Sequence, residues 1–371
     1  MKKRSLIDAV ATITGTTIGA GIFGLPYVFA KSGFIVGLVN MFVIFIAILL
    51  INLYTARITL IRKKPLELTG YAKILLGSKG KHLMAFFMFL SIIGALLAYM
   101  IGLGNAVASI FNIDGFTASI ISFLLLTFIV YFDLKGVKKS ETILTALMLF
   151  VVALLVALSF IKFDISNINF NFDFSFFNLF FPYGVILFSF LCLAAIPEAR
   201  QELKGSEKQL KKAIIIGTAI PLVIYILFAF AIVGVSGNAT SEIATTGLYK
   251  LGNLVMLIAN LFVILAMATS FITLALALRW VLQYDYGINR TLAWFISCFT
   301  PLALFLIGFR DFIEVLSFTG AIAGGLQLIL ILFMAKRTEK LKTPIKVPLN
   351  YLLIFLLLVL FILGIIYQFI F

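Results

Sequence analysis

Charge is what this sequence has least of: 12% of its 371 residues are Asp, Glu, Lys or Arg, against 63% hydrophobic. With a mean hydropathy of +1.18, that balance excludes a soluble globular protein and places the chain among polytopic membrane proteins. Histidine and cysteine are equally scarce. His82 stands alone, and Cys192 and Cys298 both fall in apolar segments, so neither a disulfide framework nor a zinc site is expected. No nucleophile has an intramembrane base beside it, which argues against an intramembrane enzyme. No polar or charged lining runs through the apolar segments, which argues against a channel.

The charges that remain are mostly basic, giving a net +14. In a soluble protein this excess would point to nucleic acid. Here Lys and Arg cluster in short loops beside apolar runs, which is the positive-inside pattern, and no nucleic-acid partner is expected. Runs of about 20 apolar residues divide the chain into roughly eleven spans, near residues 6–30, 34–61, 83–111, 116–132, 142–160, 179–199, 213–235, 251–283, 292–309, 312–335 and 349–370. Alternate loops carry the basic clusters, at Lys2–Arg4, Arg57–Lys81, Lys135–Lys139, Lys204–Lys212, Arg279–Arg290 and Lys336–Lys346. Those loops are expected in the cytoplasm, with the N-terminus inside and, for an odd span count, the C-terminus outside. The first span has no small-residue cleavage site and reads as retained. Between spans two and three, LELTGYAKILLGSKGK reads as a short amphipathic cytoplasmic helix with Leu68 and Tyr71–Leu76 on its apolar side.

Shifting the chain on itself by about 172 positions lays spans one to five on spans six to ten. Five is odd, so the second half must be inverted relative to the first. The chain therefore reads as one transmembrane domain, 1–371, with a first repeat at 1–162, a second at 163–335 and an extra helix at 336–371.

Interruptions mark two spans of this all-α chain. Span one contains TGTTIGAGIFGLP, Thr14–Pro26, whose glycines weaken a helix interior. A helix opened in lipid is tolerated only where it is buried in protein or lines a cavity. The amides around Ile18–Gly21 would then suit a carboxylate and the carbonyls a cation; the alternative is that Gly15-xxx-Gly19 only permits close helix packing. Span six contains FSFLCLAAIPEARQEL, which reads either as a proline kink at Pro197 or, through the repeat, as the partner break. In span eight, Thr269 and Ser270 either bond back to the preceding turn or, with the carbonyls of Gly15, Ile18 and Ala266, form a neutral oxygen cage suited to a monovalent cation. Glu314 either lines an outer vestibule or is interfacial. Tyr99 and Asn105 either face a cavity or act as interhelical glue.

The first-span element, AIPEARQEL, LAMATSFITLALALRWVLQYDYG and FTGAIAGGLQLILILFMAK together resemble the amino acid/auxin permease family, in particular its prokaryotic branch related to aromatic amino acid permeases, which also has eleven spans. The resemblance implies the leucine-transporter type fold: five plus five inverted spans, broken helices one and six, and a central amino acid site in a multi-pass plasma-membrane protein. By that analogy Thr16, Thr17, Gly19, Ala20 and Gly21 would hold the substrate's carboxylate and amine, with Phe188, Ser189, Leu191 and Cys192 completing the pocket. Spans one, two, six and seven would rock against three, four, eight and nine. Gly15, Ile18, Ala266, Thr269 and Ser270 match the family's sodium site, and Tyr99 and Glu314 are candidate gating residues. Some proton-coupled relatives place a lysine from span five at that site, where this chain has Met148. The expectation is a secondary active transporter of a neutral aromatic or aliphatic amino acid without a cofactor, with Na+ favoured over H+ as coupling ion.

Overall fold

The computed structural model describes residues 6–63, 66–132, 141–173, 175–203, 209–246, 248–339, 341, 343–345 and 347–370, and among them every regular element is helical. The first expected span is two helices, α1 (Leu6–Thr17) and α2 (Gly21–Ser32), bent by 55° across Ile18–Ala20. It is followed by α3 (Phe34–Thr59) and α4 (Leu68–Phe111). The latter joins the amphipathic segment to the third span through non-helical dihedrals at Gly77, φ 76°. Before that kink Leu68, Tyr71 and Ala72 are buried and Lys73 is exposed, as the pattern requires, but Ile74 faces outward.

The first half closes with α5 (Gly115–Phe132) and α6 (Glu141–Ser159). The sixth span is three pieces, α7 (Phe176–Phe180), α8 (Tyr183–Phe190) and α9 (Ala195–Glu202), with Leu191–Ala194 non-helical between the last two. Then come α10 (Leu210–Ser236), α11 (Asn253–Trp280), α12 (Arg290–Leu306), α13 (Phe312–Phe318), α14 (Gly325–Arg337) and α15 (Tyr351–Ile370). Among the described residues nine helical stretches are long and apolar enough to cross a membrane, ten with the bent pair. The remaining expected span is α12, whose 17 residues sit at the short end of the spanning range. Outward-facing Phe42, Ile46, Leu125, Phe128 and Phe355 are exposed apolar surface of the kind lipid covers.

Helix α1 packs against α6, α9 and α10, while α2 packs against α8 and α10, and α4 packs against α5 and α11. Helix α8 is pressed onto the tenth span. A Cβ at Gly320 would overlap the Gly184 carbonyl and lie 2.7 Å from the Phe188 amide nitrogen, so close packing is what these glycines provide. Between α13 and α14 the same stretch, Thr319–Gly324, takes a π-helical turn, which Gly320-xxx-Gly324 alone does not signal.

Three arginines terminate helices, Arg57 and Arg279 from the basic clusters and Arg200 from just ahead of one. Arg57 donates to the carbonyls of Thr338, Glu339 and Leu341 at 2.8, 3.0 and 3.1 Å, closing the end of α14. Arg200, buried, donates to the carbonyls of Thr59, Arg62 and Lys63 beyond α3 and to the Tyr71 hydroxyl. Arg279 donates to the Val130 carbonyl at the end of α5, at 2.7 Å. Each satisfies carbonyls that a helix end leaves without intrahelical partners, and each puts a cation at the negative end of the helix dipole.

Candidate functional site

The two breaks face one another. A Cβ at Gly21 would lie 2.7 Å from the Ser189 Cα and overlap its hydroxyl, so only glycine allows the start of α2 to touch the end of α8. Ser189 turns its hydroxyl back to the Val185 carbonyl at 2.8 Å. Within the first break Ile18 donates to Thr14, Gly19 to Thr17 and Phe23 to Ala20. Among the described residues that leaves the amides of Ala20, Gly21 and Ile22 without a partner at the positive end of the 12-residue α2. The carbonyls of Gly15, Thr16 and Ile18 are likewise free of backbone partners. Unpaired donors on one side and unpaired acceptors on the other are the complement of a zwitterion.

Thr17 is buried, donating to the Ile13 carbonyl at 2.7 Å, whereas Thr16 is exposed on the far side of α1. On the sixth span Cys192 is buried while Phe188 and Leu191 are half-buried. Two residues from elsewhere join them. Asn52 of α3, fully buried, donates to Cys192 Sγ at 3.3 Å and keeps its Oδ1 unpartnered. Tyr225 of α10 places its hydroxyl 2.8 Å from both the Thr17 and the Ser189 carbonyls.

The expected cation residues are only partly assembled. Thr269 Oγ1 donates to the carbonyls of Leu265 and Ala266 at 2.9 and 3.0 Å, the back-bonded arrangement, which leaves its lone pairs available. Tyr99 lies beside Ser270 of α11, and its hydroxyl would meet a Cβ at Gly19 at 3.4 Å. Tyr99 therefore stands between the first break and α11. Helix α6 packs on both α1 and α11, and its Thr145 hydroxyl fills the space beside Gly15. Thr145, one turn before Met148, is the span-five residue at this point, and it adds another neutral oxygen.

Beyond the breaks a cavity of about 490 Å³ is lined by Tyr27, Asn105, Ser241, Glu242, Ile243 and Thr246. Asn105 thus faces a cavity. Glu314 is exposed in the first turn of α13 and is not on this lining. The loop over the cavity is tied down by the Ala244 amide, which donates to the Phe23 carbonyl of α2 at 2.9 Å. Burial first, and then the neighbouring Asp311 carboxylate, push the Glu242 carboxyl above its ordinary range. On the opposite side of the breaks Thr12 Oγ1 donates to Glu202 Oε2 at 3.0 Å, linking α1 to α9.

The sequence of this chain is 23% identical to "Glutamine transporter 2" of Aliivibrio fischeri, across 91% of this chain and 90% of the relative. It is 26% identical to "Tyrosine-specific transport system 2" of Haemophilus influenzae, across 91% and 89%. It is also 24% identical to "Amino acid transporter ANT1" of Arabidopsis thaliana, across 66% and 60%. A family model matches nearly the whole chain, from residue 2 to residue 368. By that match the chain belongs to the tryptophan/tyrosine permease family.

Proposed function

We propose that this protein is a secondary active transporter of a neutral amino acid, coupled to a cation and working by alternating access. The family is one of permeases and not of enzymes, and relatives named for amino acid transport match along most of the chain. The observation that carries the reading is the pair of helix breaks in contact through Gly21 and Ser189, with unpaired amides at Ala20–Ile22 and unpaired carbonyls at Gly15, Thr16 and Ile18. The amides take the substrate carboxylate and nearby carbonyls take its ammonium. Thr17, Gly19, Phe188, Leu191 and Cys192 border the same contact, and Thr16 lies on the outer face of α1. No acidic or basic side chain stands at either break, which favours a neutral substrate, and two of the relatives carry the names of glutamine and tyrosine.

Sodium is the favoured coupling ion. Gly15 and Ile18 carbonyls with Ala266, Thr269 and Ser270, joined by Thr145, offer neutral oxygens, a donor set suited to a monovalent cation. A cation there would stabilise the opened turn of span one, so ion and substrate would favour each other through a shared element. Proton coupling through the same fold is the second reading, and the absence of a lysine at Thr145 and Met148 weighs against its best-known form.

Paired features 173 to 175 residues apart support an inverted repeat of 1–162 and 163–335. The breaks lie at Ile18–Ala20 and Leu191–Ala194, and Asp114 and Asn289 accept from the Thr117 and Leu292 amides at the starts of α5 and α12. The chain then sits in the cell membrane with its N-terminus inside and C-terminus outside, and Tyr99 and the loop over Phe23 gate the outer side. The test is thermal stabilisation of the purified protein by a panel of amino acids with and without Na+. Neutral amino acids are expected to stabilise it, more strongly with Na+. The absence of a shift with any amino acid at millimolar concentration would contradict the substrate class.

A further inference from the structure

The broken ends of spans one and six must be held at a fixed separation if a substrate is to fit between them. Helix α10 does so at two levels. Pro221 has no amide proton, so the Gly217 carbonyl four residues earlier is released from the helix ladder. Thr14 of α1 takes it up, donating at 3.3 Å. One turn further along, the Tyr225 hydroxyl lies 2.8 Å from the Thr17 carbonyl, the last of α1, and 2.8 Å from the Ser189 carbonyl, in the last turn of α8. Its ring is fully buried and set edge-on to Phe190, with centroids 5.3 Å apart.

Both carbonyls belong to the negative ends of half-helices, and two such ends pointed at one spot repel unless something positive lies between them. A tyrosine carries one hydroxyl proton, which here is shared by two acceptors. We propose that Tyr225 is a positioning residue: its hydroxyl clasps the ends of α1 and α8 together and thereby sets the width of the amino acid site, in the place where a bound cation would otherwise be required. The proposal rests on the reading of the breaks as that site. It separates Tyr225 from a residue that only fills space, because the ring alone would pack equally well against Phe190.

Y225F removes the oxygen and leaves the ring. The Ser189 carbonyl then loses the Tyr225 hydroxyl and the Thr17 carbonyl keeps only the Gly19 amide, so the two ends are no longer joined. The apparent KM for the transported amino acid in proteoliposomes is expected to rise by roughly tenfold, while Vmax per folded protein changes less than twofold. F123L, which trims a buried ring packed between Phe271 and Phe299 on α5, serves as the control for packing alone. It is expected to lower the melting temperature without moving KM. An unchanged KM in Y225F, or an equal rise in F123L, would overturn the proposal.

Labelling provides a readout that survives loss of uptake. Cys192 is 2% exposed and sits at the second break. In a C298A background, which leaves it the single thiol, Y225F is expected to react with a maleimide at least tenfold faster than the parent, and added amino acid is expected to slow that reaction. Equal labelling rates, or no protection by an amino acid that protects the parent, would overturn the clasp. If the parent protein takes up no amino acid, the functional reading fails, and the labelling rates without amino acid still decide whether Tyr225 holds the breaks together.

Discussion

Replacing Gly21 by alanine tests the face-to-face contact of the breaks. The added methyl would stand 2.7 Å from the Ser189 Cα and on top of its hydroxyl, so backbone must move. Overpacking of this kind costs about 1–3 kcal/mol, which for a chain of this size lowers the melting temperature by roughly 1–4 °C. Uptake is expected to fall further than stability, because the displaced segment is the one that offers the Ala20–Ile22 amides. Trimming the partner does not restore it, since S189G removes the side chain but leaves the Cα in the way. Gly15 behaves differently: a methyl there overlaps only the Thr145 hydroxyl, with the Thr145 Cβ at 3.4 Å. G15A is therefore expected to be rescued by T145A, and alanine's better helix propensity inside α1 makes the double variant up to about 1 kcal/mol more stable than T145A. The assay is apparent melting temperature in detergent alongside uptake in proteoliposomes. Wild-type melting and uptake in G21A, or full rescue by S189G, would refute the contact.

R200Q should be poorly folded: Arg200 supports the carbonyls of Thr59, Arg62 and Lys63, and hydrogen bonds to a charged group contribute about 1.5–3 kcal/mol each. Wild-type yield and melting in R200Q would sink that role. The docked loop over the outer cavity is expected to be held best at acid pH. Because the Glu242 pKa is raised above its ordinary 4.5, the protonated form belongs to the docked state, and its contribution is lost as pH rises through the raised pKa. Hydrogen exchange of the Ala244 amide, corrected for intrinsic rate, should show falling protection with rising pH, and E242Q should flatten the profile; a flat wild-type profile would count against it. T269A and S270A should weaken ion dependence more than melting temperature, and unchanged ion dependence of uptake in both would remove them from the cation site.

The first helix break is legible because its signal is local: glycines crowd Thr14–Pro26, so backbone chemistry alone marks the place. The second is not, since Pro197 alone reads as a kink and lies inside α9, and the break at Leu191–Ala194 is reached from the sequence only through the repeat. The amphipathic helix before span three is legible in its apolar spacing, and the structure buries Leu68, Tyr71 and Ala72 of the expected face while Ile74 turns outward. Residues that act across the fold were not legible. Tyr225 reads as one more aromatic in an apolar run, and its acceptors lie 208 and 36 positions away. Asn52 and Thr145 are polar side chains on apolar helices whose facing partners only packing decides. Arg57 and Arg279 are readable as topology markers and Arg200 is not, and for all three the bonding to carbonyls depends on which helix end lies beside them. The π-helical turn at Thr319–Gly324 lies where α8 presses on Gly320, a contact between distant segments that no helix-period argument contains.

The most direct test of the account is uptake of radiolabelled neutral amino acids into proteoliposomes holding the purified protein, with sodium and proton gradients imposed separately. Saturable accumulation driven by the sodium gradient alone is the predicted result. Absence of accumulation above protein-free liposomes under either gradient would contradict the transporter assignment, and accumulation driven only by protons would contradict the sodium site at Gly15, Ile18, Ala266, Thr269 and Ser270.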